Sequence, residues 1–278
     1  PAAAAEATVL SSITSAEFPH LFALREELKQ WRILQLDPAL LRKPAPATAP
    51  DVLSVDGGNL AAVLARLKAD TADEKRPLGV LSDIAIALNE LIPGVVRLDA
   101  TLHKPSQEYR MELTMRDGLP FSSKVISDGT LRVLALLTLL HDPKHRGVVC
   151  FEEPENGVHP GRIRQLVQAL QELVTRPAAE LDGKGDPPPL SQLLMNSHSP
   201  VVLSSLLDKD NKPVDGLVLF ADTSTITDPM RKETRRHTRL RPVRSDRQRA
   251  LFTDDAVPQG FVSDLEVQRV LDTVSAED

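Results

Sequence analysis

Apolar positions recur along this chain with two periods, and each change of period marks a new element. From Phe18 to Gln30 the spacing predicts a helix with Phe22, Leu24 and Leu28 as its apolar contacts. Trp31 to Leu36 alternates and reads as an ambiguous strand. Residues 41–51, LRKPAPATAPD, are too rich in proline for regular helix and read as a linker. Leu60, Val63, Leu64 and Leu67 share one face of a helix over Leu60–Ala69, with Asn59 as its candidate cap. A second helix, Leu78–Leu91, stops at Pro93-Gly94. Val95–Thr101 suggests a strand. Tyr109–Met115 and Leu119–Ile126 form a hairpin about Arg116-Asp117-Gly118, since Asp-Gly is a strong turn signal.

Ser127 and Asp128 are helix-capping types, and apolar residues follow at helical spacing through Leu140. The stretch His141 to His145 reads as a turn rather than a zinc site, because Pro143 breaks the helix and no third ligand is near. Val148 to Phe151 is a short apolar run, which suits a parallel strand buried on both faces. Ile163, Leu166, Val167 and Leu170 mark the next helix, and residues 180–189 an exposed Gly/Pro/Asp loop. Gln192–Met195 reads as a strand, Val201–Leu207 as a short helix and Gly216–Phe220 as a further buried strand. Thr238–Val243 completes the strands, and Val262–Val274 is a closing helix.

Composition adds little until charge is mapped. Hydrophobic residues at 41% and charged residues at 26% are ordinary for a globular chain. Aromatics at 3% leave the core to Leu, Val, Ile and Ala. The single cysteine, Cys150, excludes an intramolecular disulfide. The longest apolar run, Val133–Leu140, is too short to cross a bilayer. No secretory signal opens the chain, so a cytoplasmic location is the default expectation. The net charge is −6, yet Arg231, Lys232, Arg235, Arg236, Arg239, Arg241, Arg244, Arg247 and Arg249 crowd one segment. Such a stripe is either a solvated loop and edge strand or a contact for phosphate backbone. No aromatics are interleaved there to stack bases.

Three short motifs carry candidate chemistry. Glu152 and Glu153 end the predicted core strand, where open α/β sheets bind ligands. Adjacent strand residues face opposite ways, so the two acids need different tasks. One can hold Mg2+, and the other can orient and deprotonate a water. In isolation, such a pair is more often an exposed acidic strand end. Ser127-Asp128-Gly129-Thr130 opens a helix whose N-terminus favours an anion, and Gly129 lets a phosphate approach the backbone. His198, after a predicted strand and before Pro200, is a candidate γ-phosphate partner or an ordinary loop histidine.

In this order the motifs resemble those of ABC-type ATPases of the SMC and RecF kind. More closely, they are similar to the stand-alone AAA family ATPases related to the OLD family. The resemblance covers residues 105–222. It implies an α/β P-loop NTPase fold of the ABC-ATPase type with a helical subdomain. It makes Ser127 to Thr130 the signature motif, Glu152 the Walker B acid for Mg2+ and Glu153 the catalytic glutamate. Asn156 then lies in the D-loop, and His198 is the switch histidine. It implies ATP hydrolysis coupled to a head-to-tail dimer of two copies, in DNA maintenance or anti-phage defence. An effector protein and DNA, through Arg231–Arg249, are further expected partners. One feature departs from the family: no G-x-x-x-x-G-K-[ST] occurs in the chain. The Walker A lobe is therefore expected upstream of residue 1 or on another chain. The alternative function is a nucleotide-gated DNA-binding or assembly module with little hydrolysis. The expected organisation is an N-terminal segment and linker over 1–50, a helical subdomain over 51–104 and the ATPase lobe over 105–222. A basic C-terminal part follows over 223–278.

Overall fold

The computed structural model describes residues 8–13, 18–144, 147–172, 174, 191–214, 217–227, 234–243 and 261–275. The chain divides into two compact units, Pro1–Ser197 and His198–Asp278. In the first unit, α1 (Pro19–Gln30) leads into β1 (Arg32–Leu34). The single turn α2 (Pro38–Leu41) and the two-residue β2 (Ala45–Pro46) follow. Helices α3 (Leu60–Thr71) and α4 (Leu81–Leu91) precede β3 (Val95–His103), β4 (Glu108–Met115) and β5 (Pro120–Ser122). Then come α5 (Asp128–Leu140), β6 (Gly147–Glu152), α6 (Pro160–Glu172) and β7 (Ser191–Asn196).

Two sheets result. β1, β6 and β7 are parallel, with β6 in the centre. β3 and β4 form an antiparallel pair, extended by β2 and β5 on the free edge of β4. This is the α/β architecture expected from the sequence. Between β1 and β6 the chain builds α3, α4 and the antiparallel sheet before returning to the parallel one.

Helix α5 is the centre of the core. Leu131 and every residue from Val133 to Leu139 are buried. A helix apolar on nearly all sides must be enclosed on all sides. Its one buried hydroxyl, on Thr138, donates to the Leu134 carbonyl at 2.7 Å, so no polar group is left unpaired there. Leu60, Leu64 and Leu67 of α3 and Leu81, Ile84 and Leu88 of α4 belong to the same core. An ion pair ties α3 to the end of α5: Arg66 donates to Asp142 at 2.5 Å, with the two side chains 12% and 1% exposed.

Several local expectations change. The Pro/Ala stretch is not a loose linker: Ala45 is fully buried and Ala45–Pro46 pair with Tyr109 and Glu108. Asn59 makes no capping bond. Its buried amide instead donates to the carbonyls of Pro50 and Val52, and its Oδ1 accepts from the Ser54 N–H, which fixes the loop before α3. Helix α1 buries none of its residues, so Phe22, Leu24 and Leu28 are exposed rather than core contacts. Strand β6 buries Val149 and Phe151, but Val148 and Cys150 on its other face are only half covered. That face runs in register through Ile33, Cys150 and Leu194, and both Ile33 and Leu194 are 61% exposed.

The second unit contains α7 (Pro200–Ser205), the hairpin β8 (Leu219–Thr227) and β9 (Thr234–Pro242), and α8 (Asp264–Ser275). Leu207, Val243, Val262 and Val267 form its small core, with Leu203, Val218, Phe220 and Leu271 against them. The strand expected over Gly216–Phe220 begins only at Leu219, is antiparallel, and is exposed from Ala221 to Thr225. It pairs with β9 in a two-stranded sheet rather than as a central parallel strand. Of the basic stretch, Arg235, Arg236, Arg239 and Arg241 fall on β9. Arg231, Lys232, Arg244, Arg247 and Arg249 lie outside the described residues, as do His145 and the loop at 180–189.

Candidate functional site

The C-terminal end of β6 is built by backbone geometry. Glu152 is the last strand residue and pairs in register with Asn196 of β7. Glu153 then leaves the strand at φ +47°, in the left-handed region that non-glycine residues rarely adopt. Its N–H donates to both the carbonyl and Oδ1 of Asn196, at 3.0 and 3.2 Å. Asn156 closes the turn: its N–H donates to the Glu153 carbonyl at 3.0 Å, and its side-chain amide donates to Glu153 Oε2. Ser197 donates its hydroxyl to Glu155 in the same loop. The Glu153 carboxylate is thus held by its own turn, with Oε1 left for other partners.

Of these groups, Glu152, Glu153 and Asn156 line one cleft of about 370 Å³. Its polar side chains are Gln35, Arg132, Glu152, Glu153 and Asn156, over apolar walls that include Leu34, Leu136 and Phe151. Opposite-face alternation does not separate the two acids. The left-handed turn at Glu153 interrupts the strand period, and both carboxylates reach the same space. Among the described residues, no group of three or more His, Cys, Asp or Glu forms a metal cluster.

The motif at 127–130 lies elsewhere and does not line the cleft. Ser127 caps α5, its Oγ accepting from the Thr130 N–H at 3.2 Å and lying 2.7 Å from Thr130 Oγ1. Asp128 is ion-paired with Arg42, whose guanidinium also donates to the carbonyls of Lys124 and Pro38. Gly129 is buried against Gly157, which itself sits at φ +82°. The absence of a side chain at 129 is therefore required by backbone packing within this chain. His198 opens the second unit, exposed, in the segment before α7.

Sequence reasoning missed Gln35, Arg132 and Gly157. Gln35 becomes visible only once β1 is known to pair with β6, which brings its end beside Glu152. Arg132 sits in the first turns of the otherwise apolar α5, and only the folded position of that helix brings it to the cleft. Gly157 did carry a signal, because Asn-Gly is a common left-handed turn.

A family model described as "AAA domain, putative AbiEii toxin, Type IV TA system" matches residues 12–204. The chain belongs to this family. It is an AAA-type ATPase domain of the α/β P-loop class, with its acidic pair at the end of the central parallel strand. No curated protein matches it. Among solved structures it is similar to one from a study of ATP-driven dimerization and DNA-stimulated activation of SMC ATPases, at 10% identity and a TM-score of 0.40. That match covers 70% of this chain and 91% of the other. It is also similar to an Smc head domain from Pyrococcus yayanosii, at 9% identity and a TM-score of 0.39, covering 70% of this chain and 29% of that one. A third is the Pyrococcus furiosus Smc head bound to the C-terminal domain of ScpA, at 10% identity and a TM-score of 0.36, covering 80% and 44%. Among the described residues, no helix of this AAA domain is long and apolar enough to cross a membrane.

Proposed function

We propose that this AAA domain contributes the carboxylate side of an ATP-hydrolysing site. The observation that carries the reading is the shared cleft of Glu152 and Glu153 at the end of the central parallel strand. Glu153, fixed by Asn156 and Asn196, takes a proton from a water as the water oxygen bonds to the γ-phosphorus. The bond from that phosphorus to the bridging oxygen breaks, and ADP leaves with the electron pair. Glu152 and the amide oxygen of Gln35 are hard oxygen donors of the kind Mg2+ accepts through one or two protein groups and its own waters. Mg2+ held by Glu152 would neutralise charge on the phosphate oxygens.

Electrostatics argue for a further contributor. The cleft offers two carboxylates and one guanidinium, which alone repel a triphosphate. The chain has no Walker A sequence to supply a lysine and a phosphate loop. That loop comes from further polypeptide, in the same protein or another. Two copies meeting head to tail would bring the exposed Ser127 turn of one toward the nucleotide of the other. Support for this is that Ser127 to Thr130 lie outside the cleft lining of their own chain.

The test is Mg-ATP turnover and nucleotide binding in the protein carrying its phosphate loop, with Glu153→Gln alongside. Retained binding with turnover reduced by roughly 10²–10⁴-fold supports the reading. Turnover unchanged by the substitution removes Glu153 as the base. Nucleotide binding with no turnover in either protein favours the nucleotide-gated binding module.

A further inference from the structure

We propose, resting on the reading of this cleft as an ATP-hydrolysing site, that Arg132 contacts the terminal phosphate of the nucleotide bound by its own chain. Arg132 is half-buried, the single interruption in the buried run from Leu131 to Leu139 of α5. A partly covered cation normally finds a carboxylate, because leaving water unpaired is costly. Arg42 and Arg66 do so elsewhere in this unit, with Asp128 and Asp142. Arg132 does not. Among the described residues, none hydrogen-bonds or ion-pairs with its guanidinium, although Glu152 and Glu153 line the same cleft. Asn156 instead holds Glu153 Oε2.

The helix keeps Arg132 apart from the acids. One turn before it, Gly129 packs directly on the backbone of Gly157, in the loop that carries Glu153 and Asn156. One turn after it, Leu136 lines the same cleft, so α5 presents this face to the space. The root of the Arg132 side chain is therefore fixed relative to the acids by main-chain packing. Among the described residues lining the cleft, Arg132 is the one cation. Its guanidinium and the two carboxylates border a space of about 370 Å³ without pairing, which leaves room for an anionic group between them. The water that Glu153 deprotonates attacks the terminal phosphorus, so the oxygens on that phosphorus are the anionic atoms the cleft must receive. A guanidinium gives such oxygens charge-assisted, bidentate hydrogen bonds. Those bonds strengthen as charge builds in the transition state, which lowers the barrier rather than only tightening binding. ADP has no such phosphate, so the same contact separates substrate from product.

The experiment is isothermal titration calorimetry of the protein carrying its phosphate loop, with Mg2+ and either ADP or the non-hydrolysable triphosphate AMP-PNP. Arg132→Ala weakens AMP-PNP binding by about tenfold or more, as loss of a hydrogen bond to a charged group does, and leaves ADP binding unchanged. Arg132→Lys keeps the charge without the planar fork and recovers part of the loss. ATP turnover in Arg132→Ala falls by about 10²–10³-fold. The melting temperature of Arg132→Ala without nucleotide is not lowered, because the substitution strands no bonded partner. The binding measurements need no hydrolysis, and Glu153→Gln turnover is read separately, so failure of the base assignment and failure of this contact are distinguishable. Three outcomes overturn the proposal. One is AMP-PNP affinity unchanged in Arg132→Ala. Another is equal weakening of both nucleotides with a lowered melting temperature, the mark of a counter-ion for the two acids. The third is a wild type that binds ADP and AMP-PNP equally or not at all.

Discussion

Gly129 and Gly157 occupy space that a single methyl group would close. A Cβ on Gly129 would lie 2.1 Å from the Gly157 carbonyl oxygen, and one on Gly157 would lie 2.6 Å from the Gly129 Cα. The start of α5 and the loop after β6 are therefore one packed unit, and the same loop holds Glu153. Gly129→Ala is expected to destabilise the chain by about 2–3 kcal/mol, because the obstacle is backbone rather than a movable side chain. Turnover should fall with it as the loop shifts. Urea denaturation without nucleotide checks the first effect; a wild-type midpoint would mean the contact is looser than described.

The backbone at Glu153 sets stability against chemistry. Its φ of +47° costs a non-glycine residue about 1 kcal/mol, which glycine does not pay. Glu153→Gly should be about 1 kcal/mol more stable than Glu153→Ala, since both lack the bond to Asn156 and differ at the backbone. Both should lose turnover. Equal melting temperatures for the two variants would argue against a strained turn.

Asp142 is nearly inaccessible and accepts from Arg66, whose guanidinium is itself largely covered. Removing the acid strands a buried cation. Asp142→Ala should therefore cost about 3 kcal/mol, moderated by the remaining bonds from Arg66 to Asp70 and to the Asp51 carbonyl. Replacing both partners together should cost less than the sum of the single changes, which a double-mutant cycle measures.

Acid should release α8 from the base of the β8–β9 hairpin. The hydrogen bond from Arg241, with further bonds from Ser263, holds the Glu266 carboxyl down at about 2. A depressed folded value means the stabilisation is complete above the unfolded value, near 4.3, and is lost as pH falls toward 2. Amide exchange in 264–272 should accelerate across that window in the wild type. In Arg241→Ala the window should move up toward the ordinary glutamate value.

Much of the fold was legible because local patterns and tertiary needs agreed. Ile163, Leu166, Val167 and Leu170 are all buried as their spacing implied, and Asp117-Gly118 does turn the β4–β5 hairpin. Ser127 caps α5 as its type suggested. The errors arose where distant partners decided the outcome. Asn59 spends its amide on a loop, Ala45 is drawn into the core by β4, and Gln35 reaches the cleft only through the β1–β6 register. The shared cleft of Glu152 and Glu153 depends on one unusual dihedral that no residue pattern announces.

The pairing of β1 with β6 also dictates an order of assembly. Arg32 meets Val149, with roughly a hundred residues of helices and antiparallel sheet between them. Those intervening elements make mostly near-neighbour contacts and can form while β1 still waits for its partner. During synthesis at about 5–20 residues per second, β1 stays unzipped for several seconds or more after it emerges. Among the described residues β1 is bound on one side only, as β7 is, which leaves it easier to detach than the central β6. Gln35, at its end, would leave the cleft with it, so the completeness of the polar cleft is tied to a strand that waits for a distant partner.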